Sequence, residues 1–328
     1  MSSDVAARRS GTRGRGQSAV SRVAPYGAVL VLLLGIVVFS LLRPDSFATI
    51  ENLRAILSEE AVLAFAALGI TVPLIAGQFD LSIGGVIGFT GLLAVGLMSF
   101  SGLPWFLAAV LGLLAGTAVG LVNGLLIAYG GIHSFVATLA TGTLVYGAQL
   151  WYSRGEIIFE GISPNYVSLT RTEALGFTLP VFYFVVLAAL LWFVLAHTPF
   201  GRYLYAIGGN KEAAEVAGVR VKRHIVYSLT VSGTLAGAAG LMLASRTASA
   251  QSAQGDTFLL PAFAAAFIGA ASFRRGEFNV VGTLVGVFLV AVLVTGAFQL
   301  GAREYVAPLI TGAALLLAVM GNRFLVSR

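Results

Sequence analysis

Residues 77–85 read GQFDLSIGG. They join two apolar runs, 61–76 and 82–99, neither of which contains a charged residue. A transmembrane helix needs about 20 mostly apolar residues. The two runs therefore predict membrane spans, and the quoted stretch supplies the polar break that separates them. Asp80 is the one carboxylate in this break, so its placement is the first question that the sequence raises.

The rest of the chain repeats this alternation of apolar runs and short polar breaks. Of its 328 residues, 58% are hydrophobic and only 10% are charged, with a mean hydropathy of +0.92. That is too little polar surface to enclose a soluble globule of this length. The sequence predicts an all-α integral membrane protein with about ten transmembrane helices, at 26–42, 61–76, 82–99, 104–129, 134–152, 179–196, 224–244, 258–272, 280–300 and 305–321.

Basic residues are distributed unevenly between the two sides that ten spans define. Lys and Arg concentrate on the cytoplasmic side of membrane proteins because their translocation is disfavoured. With ten spans, fourteen of the 20 basic residues lie on the side of both termini, and six lie on the other side. The count predicts that the N and C termini are cytoplasmic. Together with the ten apolar runs, it predicts a multi-pass membrane protein.

The first 22 residues differ in composition from everything that follows. They are basic and rich in Gly and Ser, which predicts a disordered cytoplasmic tail held near anionic lipid. No small-x-small site follows the first apolar run, so a cleaved signal peptide is disfavoured. We therefore expect two regions, the tail at 1–22 and a transmembrane domain at 23–328.

Glycine is frequent inside the predicted spans, with 40 residues in the chain. The stretches GLLAGTAVGLVNG at 112–124 and SGTLAGAAG at 232–240 place small residues four positions apart. Small residues at this spacing let helix backbones approach closely in lipid. We expect these glycines to be a packing scaffold.

The chain lacks the residue patterns of common catalytic sites. It has no cysteine, and its histidines, His133, His197 and His224, show no i, i+4 spacing with another ligand. Its two lysines, Lys211 and Lys222, are not part of a GxxxxGK[ST] phosphate-binding loop. The sequence predicts no enzyme, no cofactor or metal bound by this chain, and no nucleic-acid partner.

The longest polar connection lies at residues 197–223, between the sixth and seventh predicted spans. Within it NKEAAEVAG predicts a short helix, with Asn210 as N-cap, Glu212 in the first turn and Gly218 as the C-terminal stop. Such a helix is suited to docking in a groove of a partner. From these residues alone, a solvated connector remains the alternative.

This connection resembles the cytoplasmic loop of the permease subunits of bacterial ATP-binding-cassette (ABC) importers for ribose, xylose and related monosaccharides. The family pattern is approximately T-x-F-G-R-x-x-Y-A-I-G-G-N-x-x-A-A-x-x-x-G-I, and residues 198–219 match it with Val219 in place of isoleucine. The stretch at 77–84 resembles the family's G-G-I-D-L-S-V-G, with Gln78, Phe79 and Ile83 as departures. The resemblance covers about residues 26–321.

The resemblance implies a mechanism divided among several subunits. A second permease subunit, either an identical copy or a paralogue, would complete the translocation path within membrane lipid. A cytoplasmic ABC ATPase would bind and hydrolyse ATP, and an extracytoplasmic sugar-binding protein would deliver the substrate. The loop would couple to the ATPase through Gly201, Arg202, Gly208, Gly209, Asn210, Lys211, Ala213, Ala214 and Gly218.

Four polar residues are candidates for the translocation path or its gate: Asp80, Ser82, Asn123 and Gln149. An unpaired amide in hydrocarbon costs about 2–7 kcal/mol, so Asn123 and Gln149 must face the protein interior or the path. A helix–helix hydrogen bond and a substrate contact both remain open for each. Asp80 is interpreted as a device that starts the third span at its cytoplasmic end. The eighth span departs from the family at Leu260–Pro261, which leaves the substrate open.

The alternative function is an ion-coupled secondary transporter or a channel for a small polar solute. Such proteins usually place ionisable groups near the membrane midplane, whereas Asp80 is predicted at a span end. The stretches GQFDL at 77–81 and GEFNV at 276–280 are a short hint of an internal repeat, for which chance is an equal explanation.

Overall fold

The computed structural model describes residues 26–273 and 276–326, and within them the chain is almost entirely helical. The first seven helices are α1 (Gly27–Leu42), α2 (Ile50–Glu59), α3 (Ala61–Ile75), α4 (Ile83–Ser101), α5 (Trp105–Ala128), α6 (Ser134–Ser153) and α7 (Pro164–Arg171). The next seven are α8 (Leu179–His197), α9 (Pro199–Gly209), α10 (Lys211–Val216), α11 (Val221–Thr247), α12 (Leu259–Ala270), α13 (Val280–Gln299) and α14 (Val306–Val326). A two-stranded antiparallel hairpin pairs β1 (Glu173–Ala174) with β2 (Phe177–Thr178).

Helix α11 is the centre of the bundle, and α3, α4 and α5 pack around it. Its first turn follows α9 and α10, so this end of the bundle is called the loop end. Its last turns contact α7, where Tyr166 Oη donates to the Leu241 carbonyl oxygen at 2.7 Å. Arg246 Nη1 donates to the Glu59 carbonyl oxygen at 2.9 Å. Helices α2 and α7 therefore lie at the other end, called the far end.

Glycines form the seam between α5 and α11, as the spacing predicted. Gly112, Gly116, Gly120 and Gly124 of α5 are buried and face α11. A Cβ placed on Gly116 would lie 2.8 Å from the carbonyl oxygen of Gly233 and 3.0 Å from the Gly237 Cα. These neighbours are backbone atoms, so the approach of the two helices requires glycine at the seam.

Two helices of the bundle begin or end inside it. Helix α3 is buried along its whole length, and the chain then runs without helical structure through 76–82 before α4 begins. Helix α12 has 12 residues, which span about 18 Å at 1.5 Å per residue. The hydrocarbon core is about 30 Å thick. Helix α12 by itself is therefore too short to cross the hydrocarbon core, in agreement with the short predicted span at 258–272.

The outer surface of the bundle is apolar, as a membrane protein requires. Large exposed side chains on α1, α5 and α8 include Leu34, Leu41, Leu114, Val186 and Leu190. Within the described residues, five helices are long and apolar enough to cross a membrane: α4, α5, α8, α11 and α13. The pair α2 and α3, bent by 45°, is a sixth when it is counted as one broken span. The prediction of an all-α membrane protein is confirmed, whereas the number ten is not.

Two predictions fall on parts of the chain that the structure does not describe or describes differently. The tail predicted at 1–22 lies outside the described residues, and so do Arg274 and Arg275. The two stretches of the suggested repeat both lie in turns that begin at a glycine with positive φ, 71° at Gly77 and 81° at Gly276. The turns differ in setting, because α12 and α13 pack tightly on each other whereas α3 and α4 do not.

The glycine seam predicts a specific loss of stability. Gly116→Ala places a methyl group against the backbone of α11, and overpacking of this kind costs about 1–3 kcal/mol. We expect a lower thermal unfolding midpoint in detergent. Gly147→Ala is the matched control, because no atom lies within 4 Å of a Cβ at that position of α6. Equal midpoints for the two variants would contradict the seam.

Candidate translocation and coupling sites

Asp80 lies inside the helix bundle and is 1% exposed. Its Oδ1 accepts hydrogen bonds from the Ser82 backbone N–H at 3.1 Å and from Ser82 Oγ at 2.6 Å. Its Oδ2 accepts from Ser232 Oγ of α11 at 2.7 Å. The carboxylate thus joins the turn at 76–82 to the central helix.

The role of Asp80 as a helix-start device stays a prediction: its Oδ1 does accept the Ser82 backbone N–H just before α4, but its neighbours place it away from the ends of the bundle. Ser82 is the N-cap residue of α4, and its side chain makes no capping bond. Ser232, which bonds Asp80, is the twelfth of the 27 residues of α11, roughly 16 Å from the helix start. Asp80 therefore lies near mid-depth in the bundle, where it organises the turn before the helix.

The backbone of this turn is satisfied by side chains of α6. The Phe79 N–H donates to Ser134 Oγ at 3.1 Å, and the Leu81 N–H donates to Thr138 Oγ1 at 3.0 Å. Free backbone groups at membrane depth are tolerated only when protein or water satisfies them. The first turns of α6 provide these partners, and they hold the turn against α6.

Asn123 connects the same turn to two further helices. Its Nδ2 donates to Ser82 Oγ at 2.8 Å, and its Oδ1 accepts from Thr141 Oγ1 at 2.6 Å. Asn123 is 0% exposed. Both ends of the amide are therefore used between helices, which favours the helix–helix alternative over a substrate contact. Three of the four predicted path residues, Asp80, Ser82 and Asn123, belong to this one network.

Gln149 lies elsewhere and makes a separate connection. It is 0% exposed; its Nε2 donates to the Gly85 carbonyl oxygen at 3.1 Å, and its Oε1 accepts from the Ala253 N–H at 3.1 Å. The amide thus ties α6 to α4 and to the chain that precedes α12. Both buried amides face the protein interior, as their cost in hydrocarbon predicted.

Sequence reasoning missed two members of the network around Asp80. Ser232 opens the small-residue stretch SGTLAGAAG, where it was counted with the packing scaffold, and Ser134 was placed at the start of a span. Neither is charged, and Ser232 is 152 positions away from Asp80. The one signal in the sequence is a hydroxyl in an otherwise apolar run, which is common in membrane helices.

The connection at 197–223 forms two helices, α9 and α10. Asn210 caps α10, because its Oδ1 accepts from the Ala213 N–H at 2.9 Å. Gly218 has a φ of 83° and its N–H donates to the Glu215 carbonyl oxygen at 3.0 Å. The predicted N-cap and C-terminal stop of this short helix are both confirmed.

The predicted coupling residues divide into packed and exposed positions. A Cβ on Gly201 would meet the Leu195 carbonyl oxygen, one on Gly208 would meet the Ile75 carbonyl oxygen, and Ala214 is 4% exposed. Gly208 is itself exposed despite this close contact, and the remaining residues also lie on the surface: Arg202, Gly209, Asn210, Lys211, Ala213 and Gly218. Val216, which was not predicted, is 91% exposed at the end of α10.

Helix α9 contacts two turns of the chain, the one that follows α3 and the one that precedes α13. Gly208 packs against Ile75, the last residue of α3 before the turn that contains Asp80. Tyr205 Oη donates to the Phe278 carbonyl oxygen at 2.9 Å, within the turn that precedes α13. A displacement of α9 would therefore reach both turns through direct contacts.

The described residues define a polytopic α-helical membrane protein with a surface helix pair at one end. Residues 52–319 match the family described as branched-chain amino acid transport system / permease component. The chain belongs to this family of transport permeases. No solved structure matches it.

Curated relatives cover nearly the whole chain. The ribose import permease protein RbsC of Haemophilus influenzae is 34% identical over 299 residues, covering 90% of this chain and 92% of the relative. RbsC of Bacillus subtilis is 36% identical over 299 residues, with the same shares. The D-allose transport system permease protein AlsC of Escherichia coli is 30% identical over 301 residues, covering 92% of each.

The Asn123 network predicts a coupled loss of stability. Asn123→Leu removes one hydrogen bond from each of Ser82 Oγ and Thr141 Oγ1, which keep their bonds to Asp80 and to the Thr138 carbonyl oxygen, and each lost hydrogen bond costs about 0.5–1.5 kcal/mol. We expect a lower unfolding midpoint in detergent, and we expect Thr141→Val to add little in the Asn123→Leu background. Thr143→Val is the control, because this exposed hydroxyl bonds only the Leu139 carbonyl oxygen of its own helix. Additive losses for Asn123→Leu and Thr141→Val would contradict the network.

Proposed function

We propose that this chain is the permease subunit of an ABC importer and forms the translocation path for a monosaccharide of the ribose type. One observation carries the proposal: α9, which leads directly into the capped helix α10, packs at Gly208 against Ile75 and Ala76, where the turn that contains Asp80 begins. The relatives named ribose and D-allose permeases match about nine tenths of the chain, which supports the sugar class.

The proposal assigns the remaining steps to partners. A second permease subunit, identical or paralogous, completes the path within the membrane lipid. A cytoplasmic ABC ATPase binds and hydrolyses ATP, and an extracytoplasmic sugar-binding protein delivers the substrate. This chain binds no cofactor of its own in the cycle, is not an enzyme, and needs no nucleic acid.

We further propose ten crossings, both termini in the cytoplasm, and a bacterial inner membrane as the location. The bias of fourteen basic residues against six supports this orientation. The short α12 and the bent pair α2 and α3 count as single crossings, because broken helices are common where a membrane protein lines a path.

In the proposed cycle, α10 docks in a groove of the ATPase. Its exposed surface offers the apolar Val216 beside Ala213, with Lys211 and Glu212 at its first turn. Closure of the ATPase on nucleotide would move α9 and α10 together, and the contacts of Gly208 and Tyr205 would pass this movement to the two turns. Rigid-body movement of this kind is a known route of alternating access.

The docking role is tested with a charge on the exposed apolar surface of α10. Val216→Glu adds a carboxylate that must be desolvated in a groove, and we expect at least a tenfold loss of ATPase co-purification while the folded yield stays unchanged. Leu175→Glu makes the same change at a residue that is 89% exposed in the far-end hairpin, and it should retain the ATPase. Equal retention by the two variants would refute docking through α10.

The energy source is tested by reconstitution. Proteoliposomes that contain the permease, its ATPase and the binding protein should take up D-ribose only when ATP is supplied on the ATPase side. Uptake driven by an ion gradient in the absence of ATPase would indicate the alternative, a secondary transporter.

The identity of the sugar is a separate measurement: monosaccharides that raise the thermal unfolding midpoint of the cognate binding protein identify it.

A further inference from the structure

Between α11 and α12 lies a polar segment, 248–258, with the sequence ASAQSAQGDTF. It contains no α-helix, and only Asp256–Phe258 form a single 3₁₀ turn. Its polar side chains are amides, hydroxyls and one carboxylate. Neither the family match nor the chain's resemblance to other permeases explains why such a segment occurs within a membrane bundle.

The segment enters the bundle from the far end, where α11 finishes. Ala250 pairs with Ile158 through two backbone hydrogen bonds of 2.9 Å. Ser252 Oγ then lies 3.1 Å from Ser153 Oγ, at the end of α6. One turn further into α6, the Ala253 N–H reaches Gln149, as described above. The chain thus descends along α6 toward the interior.

The descent ends against the first turn of α4. Gly255 packs on Gly84 and Gly88, and a Cβ placed on Gly84 would lie 3.1 Å from the Asp256 Cα. Helix α4 itself starts beside the middle of α11, because Ser82 and Ser232 share the Asp80 carboxylate. Asp256 therefore lies near mid-depth in the bundle, about as far from the loop end as from the far end.

At this depth the side chains of the segment are on the surface of the subunit. Asp256 and Thr257 are exposed, and no described residue donates a hydrogen bond to the Asp256 carboxylate. The outer face of α5 at a comparable depth carries only apolar exposed side chains, such as Val110 and Leu114. The subunit thus has two chemically different surfaces at the level of the membrane core.

An exposed carboxylate and an irregular backbone at this depth are incompatible with lipid. A charge at the centre of the hydrocarbon costs several kcal/mol, and irregular backbone occurs there only when it is buried or lines a water-filled cavity. Thr257 also lines a cavity of about 560 Å³ toward the far end, together with Glu59, Glu60 and Arg246. Apolar side chains, among them Leu63, Pro261 and Val290, complete the lining of this cavity, so Thr257 joins the segment to a cavity whose charged residues lie at the far end.

We propose that 251–257 forms a solute-contacting wall of the translocation path and that the Asp256 carboxylate accepts hydrogen bonds from solute hydroxyl groups. The substrate class, a polyhydroxyl compound, rests on the proposed function. The location of the water-filled surface does not depend on it. A carboxylate accepts from several hydroxyls, and Gln251 and Gln254 offer both donors and acceptors. The second permease subunit would close the path opposite this wall.

The position of residues 251–257 on a water-filled surface is tested by the reactivity of introduced cysteines, which is simple to measure because the chain has no native cysteine. Asp256→Cys and Thr257→Cys, in the full transporter in proteoliposomes, should react with a membrane-impermeant methanethiosulfonate at least tenfold faster than Leu114→Cys. Leu114 is 56% exposed on the apolar face of α5 and is the lipid-facing control. Equally slow reaction at all three positions would overturn the proposal.

Solute contact is tested separately. Asp256→Leu should lower ATP-driven D-ribose uptake at least tenfold. Asp256→Asn, which keeps a hydrogen-bond acceptor, should retain more uptake than Asp256→Leu. The control is Asp45→Asn, in the exposed turn after α1, which should leave the uptake unchanged. Wild-type-like uptake by Asp256→Leu would overturn the contact even where residue 256 is accessible. Absence of ATP-driven ribose uptake by the unmodified transporter would overturn the proposed function, while rapid reaction at residue 256 would still locate the path.

Discussion

The structure depends on satisfying polar groups at two places where the helices are interrupted inside the bundle. In hydrocarbon, an unpaired backbone or amide group costs several kcal/mol, so an interruption survives only with assigned partners. At 76–82 these partners are Ser134 and Thr138 for the backbone and Ser232 for Asp80. Because these partners come from α6 and α11, the turn also fixes how α4, α6 and α11 pack.

The glycine seam and the polar network share α11, and they act in complementary ways. The seam brings α5 within backbone contact of α11, which leaves no room for a side chain at Gly116. This close approach carries Asn123, on the same helix, to the hydroxyl of Ser82. Dispersion contacts therefore set the distance between helices, and hydrogen bonds set their register. A substitution in the glycine seam therefore also affects the polar network, and the reverse also holds.

The two ends of α11 serve different purposes in the proposed importer. At its start, α9 and α10 form an exposed surface, and α9 contacts the turns that follow α3 and precede α13. Beyond its end, the chain turns back into the bundle as the polar segment at 248–258. Gly208 packs on Ile75 at the end of α3, and Gly255 packs on Gly84 in the first turn of α4, so the two regions lie against the helices on either side of the turn at 76–82.

The sequence alone determined the helical membrane class, the capped helix at Asn210 with its stop at Gly218, the glycine seam, and the interior placement of Asn123 and Gln149. These features follow from hydropathy and from interactions within about four residues, which the order of amino acids fixes directly. Only the tertiary structure decided that Asp80 lies near mid-depth and bonds Ser232, that Gly208 packs on Ile75, and that Asp256 reaches the first turn of α4. These contacts depend on where helices break and on how they rotate against one another. Hydropathy determines neither, because a run of apolar residues is compatible with many rotations.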